Sequence, residues 1–85
     1  MLANRPHRAL AVESSTQGDG IDLSLQTTGL DRVDAYVDDR PRATTDVTDG
    51  THTLHVALNG GAHHTVDLRG YSAGELAASR KLEFG

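Results

Sequence analysis

The stretch Ile21-Asp22-Leu23-Ser24-Leu25-Gln26 (IDLSLQ) decides the fold class of this chain. Its apolar residues alternate strictly with polar ones. A period of two places alternate side chains on opposite faces of an extended strand, whereas a helix would repeat its apolar positions at a period of 3.6. The stretch therefore predicts a β-strand with one buried face and one exposed face.

The same alternation recurs on both sides of this stretch and predicts further strands. They lie at Ala9 to Val12, Val33 to Val37, Ala43 to Val47, Leu54 to Leu58 and Val66 to Leu68. Turn-forming residues separate them, at Ser14 to Gly20, Thr27 to Asp31, Asp39-Arg40-Pro41, Asp49-Gly50, Asn59-Gly60-Gly61 and Gly70 to Gly74. Short strands at a spacing of about 10 residues predict an all-β protein, a small antiparallel β-sandwich of about seven strands.

The C-terminal segment is compatible with either a helix or a strand. Ser72 and Glu75 have the spacing of a helix capping box. On a helix, however, Leu76, Leu82 and Phe84 would point in widely separated directions, while on a strand they share one face. The parity favours a closing strand on which these three residues share a face with Ala78, interrupted only by Arg80.

The predicted core is small and aliphatic. The inward positions are Ile21, Leu23, Leu25, Val33, Val37, Leu54, Val56, Val66 and Leu68. The chain has no Trp and no Cys, so neither a large aromatic nor a disulfide supports this core.

Length and charge limit the organisation and the partners. Eighty-five residues allow a single domain, which we place at residues 9–85 after a flexible arm at residues 1–8. A net charge of −4 without a basic stripe does not favour nucleic acid. Since no apolar run reaches even ten residues, we expect neither a membrane span nor a signal peptide. We expect a cytoplasmic location for a complete protein and an extracellular or cell-surface one for a fragment.

Three stretches carry a resemblance to a known family. They are RVDAYVDDRPRAT (Arg32 to Thr44), DGTHTLHVAL (Asp49 to Leu58) and GAHHTVDLRGYSAGELAASRKLEF (Gly61 to Phe84). The region from Arg32 to Phe84 resembles prokaryotic immunoglobulin-like domains of the fibronectin type III-like kind. The resemblance implies that Val33 to Val37 is the third strand, Val66 to Leu68 the sixth and Leu76 to Phe84 the last. It also implies a scaffold that serves as an adhesive module, a spacer or an accessory unit, with no shared active site.

Five histidines raise the question of a metal site. His52 and His55 are three residues apart on a strand and face opposite sides, and the adjacent His63 and His64 likewise diverge. His7 lies in the arm. Zinc needs three or four convergent ligands, and at most one histidine of each pair, joined by Asp67, could converge. Exposed or core-edge histidines are therefore favoured over such a metal site and over a pH-sensitive contact.

The remaining polar groups do not form a recognisable catalytic or binding motif. Asp34, Asp38 and Asp39 lack the spacing of a calcium loop, as does the acidic turn from Asp46 to Asp49. There is no GxSxG and no phosphate-binding glycine loop. We therefore expect no enzyme activity, cofactor, metal or small-molecule ligand.

Two functions remain open. The first is a non-catalytic module that binds a protein partner, or a second copy of itself, through edge strands or a sheet face. The second is a passive spacer or accessory domain of a larger protein; a histidine-based metal-binding module is the least favoured.

Overall fold

Seven β-strands make up most of the residues that the computed structural model describes, which are 8–18, 20–58 and 63–84. The strands are β1 (Ala9–Gln17), β2 (Gly20–Thr28), β3 (Arg32–Val37), β4 (Arg40–Asp46), β5 (Gly50–Ala57), β6 (His64–Ser72) and β7 (Glu75–Phe84). The predicted arm, apart from Arg8, and the predicted break at Asn59-Gly60-Gly61 lie outside the described residues. Within these residues no helix is long and apolar enough to cross a membrane.

The strands form two antiparallel sheets. The three-stranded sheet has the order β1-β2-β5, and the four-stranded sheet has the order β4-β3-β6-β7. The predicted all-β, antiparallel sandwich of seven strands is confirmed, and so is the choice of a strand over a helix for the C-terminal segment.

The core lies between the two sheets and is aliphatic, as the sequence predicts. Eight of the nine predicted inward residues are buried, and Leu54 is partly buried against them. The structure adds four buried residues that are not among the predicted inward positions: Leu10, Leu30, Ala35 and Val47. Leu30 and Val47 lie just outside strands, where a period of two gives no information about the direction of a side chain.

The predicted turns are too long because strand pairing extends into them: β2 continues to Thr28, β5 begins at Gly50 and β6 continues to Ser72. Ser14 to Gln17 belong to β1, since Ser14 pairs with Leu23 of β2 and the ladder continues to Gln17. The chain between β3 and β4 turns at Asp38 and Asp39, both at positive φ, so that Arg40 and Pro41 already lie in β4. Pro41 is tolerated there because β4 is an edge strand, where a missing N–H costs little.

A β-bulge in β7 overturns the prediction that Leu76 shares one face with Leu82 and Phe84. Gly70 pairs with Ala78, but its neighbour Tyr71 pairs with Leu76, so Ala77 is an extra residue in β7. One extra residue moves every side chain beyond it to the opposite face of the sheet. Leu76 is therefore on the outer face and 58% exposed.

Candidate functional site

The described histidines are each held by a different group. His55 Nδ1 lies 2.6 Å from Asp22 Oδ1, and His63 Nε2 lies 3.2 Å from Glu83 Oε1. His52 Nε2 lies 2.8 Å from a backbone carbonyl oxygen, that of Thr48. Among the described residues no three potential ligands come together in a way that could hold a metal ion.

His64 fills an edge of the core, which was one of the roles expected for a histidine here. It is 8% exposed, and its Nδ1 lies 2.7 Å from Oδ2 of Asp38 in the β3–β4 turn. The backbone N–H of Thr65 donates to the other carboxylate oxygen of Asp38 at 3.0 Å. These two hydrogen bonds, from Thr65 first and then from His64, lower the pKa of Asp38 below its ordinary value.

Two further aspartates brace the loops at the opposite end of the sandwich. The N–H of Gly29 donates to Asp49 Oδ1 at 2.8 Å, and the N–H of Ala73 donates to Asp31 Oδ2 at 2.8 Å. Each carboxylate thus satisfies a backbone donor of another loop. The role of Asp49 in the predicted acidic turn is structural.

The outer surface of the four-stranded sheet carries the most distinctive cluster. Three pairs of residues oppose each other directly across β3 and β6: Arg32 with Tyr71, Asp34 with Arg69, and Tyr36 with Asp67. We call this surface, together with Leu76 beside Tyr71, the Tyr–Arg face. It contains both tyrosines of the chain.

Each tyrosine ring of this face is covered by a guanidinium group. The guanidinium carbon of Arg32 lies 4.5 Å from the ring centroid of Tyr71, and that of Arg69 lies 4.2 Å from the centroid of Tyr36. These distances are within the range of cation–π attraction.

Carboxylates hold both guanidinium groups in place. Arg32 Nε lies 3.2 Å from Asp34 Oδ1, and Arg69 Nη2 lies 3.3 Å from Asp67 Oδ2. The Asp67 carboxylate, by its hydrogen bond, raises the pKa of Arg69 above its ordinary value. Each guanidinium group thus contacts both a tyrosine ring and a carboxylate, and side chains already held in one arrangement lose less entropy on binding.

A shallow, open depression of about 600 Å³ adjoins the face on the side of β4. Tyr36 and Pro41 provide apolar surface, while Arg42, Thr44 and Asp46 contribute polar groups to its lining. The hydroxyl of Thr44 donates to Asp34 Oδ1 at 2.6 Å, which ties β4 to the ion pair on β3. The depression and the Tyr–Arg face form one continuous surface.

The outer surface of the three-stranded sheet is different. Its side chains are short or polar and include no tyrosine and no arginine among the described residues: Ala9, Ala11, Glu13, Ser15, Asp22, Ser24, Gln26, Thr28, Thr51, Thr53, His55 and Ala57. Surfaces of this composition are typical of solvated sheet faces.

Sequence reasoning considered Asp34 as a possible calcium ligand beside Asp38, and it missed the Tyr–Arg face. The structure separates these two carboxylates, because Asp34 is on the outer face of β3 and Asp38 in the turn. A signal was present: an Arg, an Asp and a Tyr share one parity in Arg32 to Tyr36 and again in Asp67 to Tyr71. Only the pairing of β3 with β6 makes the two sets one surface.

Comparisons with known proteins provide no relative. No protein-family model, no curated protein and no solved structure matches this chain.

Proposed function

We propose that this chain is a non-catalytic interaction module that binds another protein through its Tyr–Arg face. The observation that carries the proposal is the bulge at Ala77, which places the exposed Leu76 beside Tyr71 and its stacked Arg32. Tyr and Arg are the residues that most often dominate binding energy at protein interfaces. The stacked tyrosine ring and guanidinium group match the enrichment of aromatic residues and Arg in interfaces, and Leu76 adds apolar surface beside them.

The order of the strands supports an immunoglobulin-like, fibronectin type III-like assignment. Hairpin β1–β2 lies in one sheet, hairpin β3–β4 in the other, β5 returns to the first sheet and hairpin β6–β7 to the second. Seven strands with this alternation are typical of immunoglobulin-like sandwiches. Such a fold carries no inherent chemistry, so the function is argued from the surface.

Site-specific photocrosslinking tests the proposal. A photoreactive phenylalanine analogue replaces the exposed Ser79, which pairs with Arg69 at the border of the face. The matched control carries the same analogue at Thr53, an exposed residue on the outer face of the other sheet. Illumination in an extract of the source cells is expected to yield a discrete adduct from position 79 and not from position 53.

A second variant distinguishes a crosslink that results from specific binding from one that results from random collision. Tyr71→Ser in the Ser79-labelled protein removes one stacked ring and is expected to abolish the adduct, while circular dichroism shows that the sandwich persists. Equal adducts at both positions, or an adduct that survives Tyr71→Ser, would contradict the proposal.

The passive spacer remains the second candidate function, because the chain enters and leaves the sandwich at opposite ends. Ala9 of β1 pairs with Thr28, whereas Phe84 of β7 pairs with His64 near the β3–β4 turn. Ten-residue β7 alone spans about 33 Å at the usual rise per residue. If no position on the Tyr–Arg face gives an adduct, the spacer becomes the preferred function.

A further inference from the structure

The β6–β7 hairpin has two conceivable registers at its turn end, and only one of them exposes Leu76. In the register of the structure, Tyr71 pairs with Leu76, and Ala77 is the extra residue of the bulge. Without the bulge, Tyr71 would pair with Ala77, and Leu76 would point to the inner face of the sheet. The bulge therefore decides whether the Tyr–Arg face includes an apolar side chain beside Tyr71.

The turn of this hairpin does not favour the bulged register by its own sequence. Ser72 pairs with Glu75, so the connection consists of Ala73 and Gly74 alone. Both have positive φ, 53° at Ala73 and 81° at Gly74. Two-residue turns with this backbone favour Asn, Asp or Gly at the first position, because a Cβ such as that of alanine disfavours the left-handed region. A contact from outside the hairpin is needed to offset this cost.

Such a contact comes from Asp31 in the connection between β2 and β3. Its Oδ2 accepts the N–H of Ala73 at 2.8 Å. The backbone of Asp31 is itself held on both sides: its N–H donates to the carbonyl oxygen of Tyr71 at 2.8 Å, and its carbonyl oxygen accepts the N–H of the buried Val47 at 3.0 Å. The carboxylate thus extends from an anchored backbone, so less conformational entropy is lost when it bonds to the turn.

The neighbouring Leu30 supports the same register from the inner side of the sheet. Leu30 is buried, and a Cβ added to Gly70 would lie 2.6 Å from its Cδ1. Gly70 pairs with Ala78, next to the bulge. Leu30 therefore packs against the inner side of β6 at the end where Leu76 would turn inward if the bulge were absent. A packed core does not accept a further leucine without strain, so Leu30 disfavours the unbulged register.

We propose that Asp31 is a positioning residue for binding at the Tyr–Arg face. Its hydrogen bond to Ala73 holds the hairpin in the bulged register, and this register places Leu76 beside Tyr71. The part of the inference that concerns binding rests on the proposed function, whereas the register can be measured without any partner. A partner that contacts Leu76 and Tyr71 binds the bulged register alone, so its apparent affinity falls in proportion to the population of that register.

Amide hydrogen exchange tests the contact itself. Asp31→Ala removes the acceptor of the Ala73 N–H. The matched control is Asp49→Ala, which also removes a carboxylate that accepts a backbone N–H at this end of the sandwich, in that case from Gly29. Exchange at Ala73 is expected to be at least about 10-fold faster in Asp31→Ala and unchanged in Asp49→Ala.

The nuclear Overhauser effect between the Leu76 methyl groups and the Tyr71 ring reports the register. Side chains of directly paired residues have Cβ atoms about 4.5–5.5 Å apart, so the wild type and Asp49→Ala should show this effect. Asp31→Ala is expected to weaken it by at least about half as the unbulged register becomes populated. The photocrosslinked adduct from position 79 should decrease by a similar factor in the same variant.

Two rescue variants separate positioning from a general loss of stability. Asp31→Asn keeps a side-chain oxygen that can accept the Ala73 N–H, so it should retain the effect between Leu76 and Tyr71. Ala73→Gly removes the cost of positive φ at the turn, so in that background Asp31→Ala should no longer weaken the effect. Because Asp31 is exposed, all variants are expected to fold, and circular dichroism checks this.

Two results would overturn the proposal. One is an Asp31→Ala variant in which the effect between Leu76 and Tyr71 and the adduct are both unchanged. The other is a weakened effect that neither Asp31→Asn nor the Ala73→Gly background restores. A wild-type chain that yields no adduct refutes the proposed function instead, and the two NMR measurements still decide whether Asp31 holds the register.

Discussion

The exposure of Leu76 can be tested by comparing it with a leucine that is fully buried. Leu68 lies on β6 in the centre of the four-stranded sheet, with 0% of its surface exposed, while Leu76 lies across the bulge and is 58% exposed. By parity alone, Leu76 would share a face with Leu82 and Phe84, which pack against the core. We expect Leu68→Ala to destabilise the protein strongly and Leu76→Ala to have little effect.

The magnitudes follow from how much of each side chain is covered. Truncation to Ala removes about three carbon groups, worth about 0.8 kcal/mol each when fully buried. For Leu68 the cavity adds to this loss, so that the free energy of unfolding should fall by about 2–5 kcal/mol. About two-fifths of Leu76 is covered and no closed cavity forms, so the loss should be about 1 kcal/mol or less.

Urea unfolding, followed by far-UV circular dichroism, measures the free energy of unfolding of each variant, and thermal melting measures its Tm. A domain of this size melts about 4–8 °C lower for each kcal/mol lost. Leu68→Ala should therefore lower Tm by at least about 8 °C, and Leu76→Ala by less than about 8 °C. If the two variants lost similar stability, Leu76 would be in the core and the bulge at Ala77 would be wrong.

Three further changes address backbone and charge. Ala73 has φ 53° in the β6–β7 turn before Gly74, so Ala73→Asn, which gives the preferred Asn-Gly pair, should raise the free energy of unfolding by about 0.5–1 kcal/mol in urea titrations. Gly20→Ala should lower Tm, because the added Cβ would lie 2.5 Å from the carbonyl oxygen of Val56. Asp38→Asn keeps the side-chain shape but removes the charge. Since the pKa of Asp38 is lowered in the folded state, its carboxylate stabilises the fold above the unfolded pKa of about 3.9, and that stability is lost as the pH falls through the lowered pKa. The difference in unfolding free energy between wild type and Asp38→Asn should therefore shrink below about pH 4, and a difference independent of pH would refute this assignment.

The sequence by itself determined the fold class, most of the core and the positions of several turns. Ile21, Leu23 and Leu25 could not share one face of a helix, and the regular spacing of turn formers indicates a succession of short strands. This information is local, because the direction of a side chain on a strand depends only on parity. Each regular strand could therefore be assigned an inner and an outer face from its own residues.

The end of β1 and the bulge in β7 depend instead on the hydrogen bonds to the neighbouring strand. Ser14 to Gln17 have the composition of a turn, but backbone hydrogen bonds to β2 keep them extended. In the same way the register of β7 against β6 shifts by one residue at Ala77, and nothing in the local pattern of apolar residues indicates this shift. A single inserted residue moved Leu76 from the predicted face of Leu82 and Phe84 to the exposed outer face.

The Tyr–Arg face was likewise decided only by the tertiary structure. Each half of it is visible as alternate polar residues in one strand, and such residues look like an ordinary solvated face. Arg32 and Tyr71 are 39 positions apart, yet they are direct neighbours because β3 pairs with β6 rather than only with β4. Composition and periodicity report on neighbours along the chain, whereas a surface depends on which strands lie side by side. The pairing between distant strands results from the packing of the whole core, and for that reason only the folded structure reveals the surface on which the proposed function rests.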